Sequence, residues 1–299
     1  MAGKKLHLQH MLHGVLLFPG VPDDSFLHSL HSIKGVKWEA LVSSRNVDYT
    51  KISREFIPVH CNMINIFDPD FTTFGFLSGL VRSGCHLFLP EKQQMNSAER
   101  MNLIQLAEEG NSLIQIRNDL LFHPSFLEYD QLENDSKLIE IHQIAPNRPD
   151  ALQEILYSNL LMILRLVNSD PSHISVCAIP NSVYPPNLVN LHFKFNNGSA
   201  ATLTISFTGR KKEHRLSVYG SGGVINYNFE GKIHVPPVLS PGYKNSQTFG
   251  NNLLIKQITY FADCILKKDC KRFVLNDEAK TFRLIEKINQ KLEYSSVLN

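Results

Sequence analysis

Ser83-Gly84-Cys85-His86-Leu87-Phe88-Leu89-Pro90-Glu91-Lys92 is the stretch from which the fold of the first half is read. A glycine able to close a helix precedes a short apolar run, and a proline ends that run. Upstream, Thr73 to Arg82 is patterned as a helix; downstream, Ser97 to Glu109 is an amphipathic helix stopped by Gly110. The run is too short to be a helix and sits between two of them, so it reads as a buried strand, His86 to Leu89. Strands flanked in this way belong to parallel sheets with helices on both faces.

Working outward, the same alternation recurs. Gly14-Val15-Leu16-Leu17-Phe18 is a buried strand closed by Pro19-Gly20, and Asp24 or Ser25 can cap a helix from about Phe26 to Ile33. Val36 to Val42, Met63 to Phe67 and Ser112 to Arg117 complete the strands. After His123-Pro124 the pattern changes. Leu138 to Ile144 is a strand and Pro149 to Val167 a long apolar helix, followed by period-two strands at 172–179, 189–196, 200–207, 214–219 and 224–229. Asn196-Asn197-Gly198-Ser199 and Gly220-Ser221-Gly222-Gly223 are hairpin turns. Phe249 to Lys267 and Asn276 to Tyr294 are closing helices, the second with Asn276-Asp277-Glu278 as its cap. The expected fold is α/β + α+β. A Rossmann-like domain of parallel strands over 1–122 precedes an α+β domain over 123–299 built on a large, mainly antiparallel open sheet. The last helices are free to pack back toward the first domain.

The chain has 299 residues, 43% of them hydrophobic, and a net charge of +2. It can bury a sizeable core, and neither its charge nor a basic stripe points to nucleic acid or a membrane surface. Cysteines 61, 85, 177, 264 and 270 are odd in number, without a CxxC pair; buried free thiols in a cytoplasmic protein are expected. The His10/His13 and His28/His31 pairs have helical spacing, but no nearby carboxylate or cysteine completes a metal set, so no metal is expected.

The order of these segments resembles the Gfo/Idh/MocA family, the glucose–fructose oxidoreductase and inositol dehydrogenase group. The resemblance rests on Lys34-Gly35-Val36 before the second strand and on Ile64-Asn65-Ile66-Phe67-Asp68-Pro69-Asp70, which stands for a strand ending in Thr-Pro. It rests further on Ser83 to Lys92 standing for Gly-Lys-His-Val…Glu-Lys-Pro, on the hairpin from Arg215 to Ile225, and on the helices holding Phe261-Ala262-Asp263-Cys264-Ile265 and Phe282 to Ile288. Such a resemblance implies a Rossmann domain for NAD or NADP, oxidation or reduction of sugars, cyclitols or sugar nucleotides, and oligomers formed through the open face of the second sheet.

Residue by residue, the implied chemistry thins out. A dinucleotide pyrophosphate approaches backbone N–H groups of a glycine-rich turn at a helix N-terminus. The turn here reads Phe18-Pro19-Gly20-Val21-Pro22-Asp23-Asp24-Ser25, with Gly20 as its single glycine, two prolines that lack donors and two aspartates where phosphate should lie. The second strand ends Val42-Ser43-Ser44-Arg45 instead of in an acid; Ser43 and Arg45 suit a 2′-phosphate or are simply surface residues. Asp68, Pro69 and Glu91 fall where relatives line the cofactor. By the resemblance, Lys92 is the lysine that bonds the substrate hydroxyl and cofactor ribose, although Gln93 replaces the following proline; a solvated lysine is the alternative. The acid/base pair that relatives carry four residues apart becomes Glu154 and Ser158, and a slip of one residue offers Tyr157, whose phenol has a pKa near ~10 and makes a poor base. No cofactor is expected on this reading, and the chain is expected to be a degenerate pseudoenzyme or non-catalytic subunit that binds a sugar-like molecule or a homo- or hetero-oligomeric partner. Its crevice should be filled by Phe18, Pro19 and Pro22, or be too shallow for a pyrophosphate. The other reading is an active NAD(P)-dependent oxidoreductase that uses Lys92.

Overall fold

The computed structural model describes residues 11–20, 22–43, 57–91, 93–122, 136–148, 151–179, 185–209, 211–221, 223–229, 249–267 and 275–297. The chain divides into two compact units, residues 1–119 with 248–275, and residues 120–247 with 276–299. Lys92, Arg45, His123-Pro124 and most of the Pro/Gly-rich stretch 236–250 lie outside the described residues.

In the first unit β1 (Leu12–Phe18), β2 (Val36–Ser43), β3 (Met63–Ile66), β4 (His86–Leu89) and β5 (Ile114–Ile116) form a sheet in the order β2-β1-β3-β4-β5. Every neighbouring pair is parallel. The central strands are mostly apolar because both faces are covered, and Val15, Met63, Ile64, Ile66, Leu87 and Phe88 have no exposed surface at all, whereas the edge strand β2 carries Lys37 and Glu39. The helices are α1 (Asp24–His31), α2 (Phe74–Arg82), α3 (Ser97–Glu109) and, from far along the chain, α5 (Phe249–Lys267). Leu12, Leu16, Met63 and Phe88 pack with Phe26 and Leu30 of α1 and with Leu254, Ile258, Phe261 and Ala262 of α5 as one core.

Glycines mark the turns. Gly35 (φ +80°) and Gly84 (φ +78°) take the left-handed conformation just past α1 and α2. Asn96 and Glu99 close a capping box at the start of α3. One cap differs from expectation. Asp23, with extended backbone (φ −70°, ψ 155°), caps α1 in place of Asp24 or Ser25, because its carboxylate alone stands before the helix and accepts the Phe26 N–H.

The second unit holds β6 (Leu138–Ile144), α4 (Ala151–Val167), β7 (Pro171–Ile179), β8 (Leu188–Phe195), β9 (Ala200–Ser206), β10 (Glu213–Gly220), β11 (Gly223–Asn228) and α6 (Leu275–Val297). Its sheet runs β11-β10-β6-β9-β8-β7. It is antiparallel apart from the central β6–β9 pair, which is parallel because the chain between those strands crosses over through a helix. Alternation is strict on β8 and β9: Val189, Leu191, Phe193, Ala201, Leu203 and Ile205 are buried and their neighbours face outward. α4 is buried along most of its length, and its Tyr157 stacks on Phe282 of α6 with ring centroids 5.3 Å apart. α6 begins at Leu275, so Asn276 falls inside the helix and is not its cap.

Candidate functional site

Open parallel sheets bind ligands beyond the carboxyl ends of their strands, where the strand order reverses. Here that point lies between β1 and β3. Phe18 ends β1 and Phe67 follows β3, their ring centroids 5.2 Å apart, and Phe67 is held by its N–H bond to Leu17 O at 2.8 Å. Phe26 of α1 stands 5.7 Å from Phe18 and 6.1 Å from Phe67. Phe67 in turn meets Phe88 at 6.1 Å, and Phe88 meets Phe261 at 6.0 Å. The aromatic core thus reaches the carboxyl ends of β1 and β3. Phe18 is half-buried and Pro22 buried, whereas Pro19 is exposed, and the rings that Phe18 meets are those of Phe26 and Phe67. The packing brings together rings from β1, α1 and the segment after β3.

The N-terminus of α1 is already neutralised. Asp23 Oδ1 accepts the Phe26 N–H at 2.7 Å and the Ser25 hydroxyl at 2.6 Å, and Asp24 adds a second acid in the first turn. A phosphate there would have to displace a covalently attached carboxylate and then face another negative charge. Gly20 is half-buried in the turn before α1, and Ser43 lies beside Phe18 at the end of β2. These residues do not fit a pyrophosphate bound in the Rossmann manner.

The rest of the rim is tied to itself. The buried Asp68 accepts the Asp70 N–H at 3.0 Å, and Pro69 opens a short 3₁₀ turn. Thr72 Oγ1 donates to Pro69 O and accepts the Gln94 N–H at 2.8 Å, while Gln94 Nε2 donates to Asp70 Oδ1 at 2.7 Å. Gln93 Nε2 donates to Pro90 O at 3.0 Å. The segment flanking Lys92 is therefore pinned by Pro90, Gln93 and Gln94, with Glu91 exposed between them. At the end of β5, Arg117 forks onto Asp119 at 2.9 and 2.7 Å. Gln257 of α5 donates to Asp119 Oδ1 and accepts the Asn118 N–H, both at 2.9 Å. The Asp119 carboxylate pushes the Arg117 guanidinium up, against burial, with a smaller push from Glu91. Burial raises the Asp119 carboxyl, but Arg117 and the Gln257 amide outweigh it and hold it below its ordinary value.

In the second unit Tyr157 is part of the core, Glu154 pairs with Arg148 at 2.8 Å and Ser158 is buried. The polar centre beside them was not foreseen. His214 Nε2 lies 2.9 Å from Asn159 Oδ1, and Asn159 Nδ2 donates to Gln143 Oε1 at 2.7 Å and to Ile155 O at 2.8 Å. Nothing local marks this triad, and the Arg117–Asp119 pair is completed only by Gln257, 138 residues beyond Asp119. A third group, His13, Glu39 and His60, also comes together only in space.

The pairing of a five-stranded parallel sheet with a six-stranded, mainly antiparallel one is the fold of the Gfo/Idh/MocA-type dehydrogenases, as the sequence resemblance implied. No family model matches the chain. Among curated proteins it resembles the UDP-N-acetylglucosamine 3-dehydrogenase of Acidithiobacillus ferrooxidans, with 20% identity over 162 residues. That match spans 52% of this chain and only about half (52%) of the relative. The solved structure of that dehydrogenase, GnnA, superposes with a TM-score of 0.72 at 14% identity, covering 94% of this chain and 98% of that one. The dehydrogenase MviM of Clostridium difficile gives 0.74 at 16% identity over 93% and 99% of the two chains. GenD2 from gentamicin A biosynthesis, solved with NAD, gives 0.71 at 11% identity over 97% of each. Among the described residues, no helix is long and apolar enough to cross a membrane.

Proposed function

We propose that this chain is a non-catalytic protein of the Gfo/Idh/MocA type, acting by binding a sugar-like ligand or a partner chain without turning over a dinucleotide. The observation that supports this reading is the packing of Phe18, Phe26 and Phe67 against one another at the switch point, with Asp23 capping the α1 N-terminus. The second unit agrees with it. The position that supplies a proton relay in relatives is Ser158, a group with no useful acidity near neutrality. Tyr157 is committed to packing against Phe282. The outward face of the second sheet offers a surface for a second copy or a related chain. Asn190 and Thr204 bond across it at 2.7 Å, and His192 and Thr202 at 3.1 Å. A cytoplasmic location belongs to the same proposal and rests on cysteine usage: Cys61, Cys85 and Cys264 are buried free thiols, and Cys177 is an exposed one.

The second reading, an active NAD(P)-dependent oxidoreductase of a sugar, cyclitol or sugar nucleotide, is favoured by the curated relative and by the NAD-bound structural neighbour. Turnover separates the two. Absorbance at the reduced-nicotinamide band is followed with NAD or NADP and a panel of UDP-sugars, cyclitols and free sugars, using Lys92→Ala as control. No turnover in either protein is expected. Turnover that disappears in Lys92→Ala would establish the active enzyme instead.

A further inference from the structure

We propose that His13, Glu39 and His60, at the amino-terminal edge of the first unit's sheet, form a binding site for a divalent transition-metal ion of the zinc class. The site lies at the end of the strands opposite the switch point and is independent of the reading given above for that crevice.

Three backbone segments bring the ligands together. His13 is the second residue of β1 and pairs in register with Lys37 of β2. Between Gly14 and Val15 the register slips: Gly14 faces Trp38 but Val15 faces Ala40, which leaves Glu39 as the extra residue of a bulge. A bulge re-aims the side chain it carries, and here it sets Glu39 Oε1 at 2.7 Å from His13 Nδ1. His60 sits in the turn closed by the Cys61 N–H bond to Pro58 O at 2.9 Å. That turn is stitched to β1 through His13 N to Asn62 Oδ1 at 2.9 Å and Asn62 N to His13 O at 3.1 Å. His60 Nε2 consequently lies 3.5 Å from the same Glu39 oxygen, and the two imidazoles stand perpendicular with centroids 5.1 Å apart. One donor atom from each residue falls within 4.8 Å of the others.

Two imidazoles and a carboxylate are a zinc-class donor set, and three protein ligands leave a fourth position for water or a small ligand. With metal–ligand bonds of about 2.0–2.2 Å, tetrahedral ligand atoms stand roughly 3.4 Å apart. The His60–Glu39 pair already meets that spacing, and the His13–Glu39 pair has only to open by about 0.7 Å. A cation is already drawn to this point: the Lys37 ammonium lies 2.9 Å from Glu39 Oε1. Its side chain is 59% exposed, so it can swing into solvent when a metal takes over the carboxylate. The sequence hid the site because its histidines pair with Glu39 across strands and not at helical spacing.

The protein, stripped of metal, is titrated with zinc chloride in competition with a chromophoric chelator. One equivalent binds the wild-type protein at micromolar or lower concentration. His60→Ala and Glu39→Gln weaken it by about a hundredfold or more, since losing a ligand costs at least as much as losing a residue that merely orients one. Lys37→Ala binds as well as the wild type or more tightly, because a competing cation is gone. His60 is 59% exposed, so its removal leaves the fold intact, and a metal-free thermal melt checks this. Zinc raises the melting temperature of the wild type but not that of His60→Ala. Absence of stoichiometric uptake by the wild type overturns the proposal. So does equal affinity in His60→Ala and Glu39→Gln, which would place the ion on other histidines.

Discussion

Acidification from pH 7 to pH 5 acts on the second unit through the buried His214. His214 is 5% exposed and its ring lies 4.6 Å from that of Phe229. Since Asn159 spends its Nδ2 protons on Gln143 and Ile155, its Oδ1 must accept, and His214 is neutral with its proton on Nε2. Burial lowers its pKa from 6.5 to about 4. The folded value is depressed, so below pH 6.5 the unfolded chain takes up a proton that the folded chain refuses. The stabilisation is complete above 6.5 and drains away as pH falls toward 4. Linkage over that window gives a loss of about 2 kcal/mol by pH 5 and about 3 kcal/mol in full. Urea unfolding followed by circular dichroism at pH 7 and pH 5 measures it, with His214→Gln as the comparison. Glutamine keeps an N–H donor for Asn159 but cannot titrate. The variant should lose about 2 kcal/mol less than the wild type across the interval. An identical pH dependence in both proteins would refute the assignment of a neutral buried imidazole.

Other substitutions probe the first unit. Gly14→Ala places a methyl group 2.6 Å from the Trp38 ring, a clash expected to cost about 1–3 kcal/mol by thermal melting. Asp23→Ala removes the α1 cap and should cost about 1 kcal/mol without creating dinucleotide affinity, since the three phenylalanines remain. Asn65, fully buried in β3 beside Leu16 and Phe88, has no hydrogen bond from either amide atom among the described residues. Asn65→Leu should therefore stabilise the protein by about 1–2 kcal/mol in a urea melt; destabilisation would mean that the amide holds a partner such as an ordered water.

Local rules made most of the architecture legible. Period-two alternation marked β8 and β9, and glycine stops marked α1, α2 and the β8–β9 hairpin. Continuous apolar runs such as Leu87-Phe88-Leu89 announced a sheet buried on both faces. The parallel β6–β9 pair escaped because strand adjacency across a helical crossover leaves no local trace. The aromatic packing at the switch point was half visible: Phe18 stands at the end of its strand, whereas Phe26 and Phe67 join it only once α1 and β3 are packed. Nothing local marks the bulge that turns Glu39 toward His13, or the fold that carries Gln257 to Asp119. Asp23 shows how fine the margin is. Three adjacent residues can each cap a helix, and backbone conformation chose the first of them.

On the proposed reading, the carboxyl end of the first sheet does not accept a dinucleotide. Calorimetric titration of the protein with NAD, NADH, NADP and NADPH tests this directly. No heat of binding at millimolar cofactor is predicted, because the aromatic rings and Asp23 hold the space and the donors. Micromolar binding of any one of the four would contradict it and would return the chain to the active dehydrogenases.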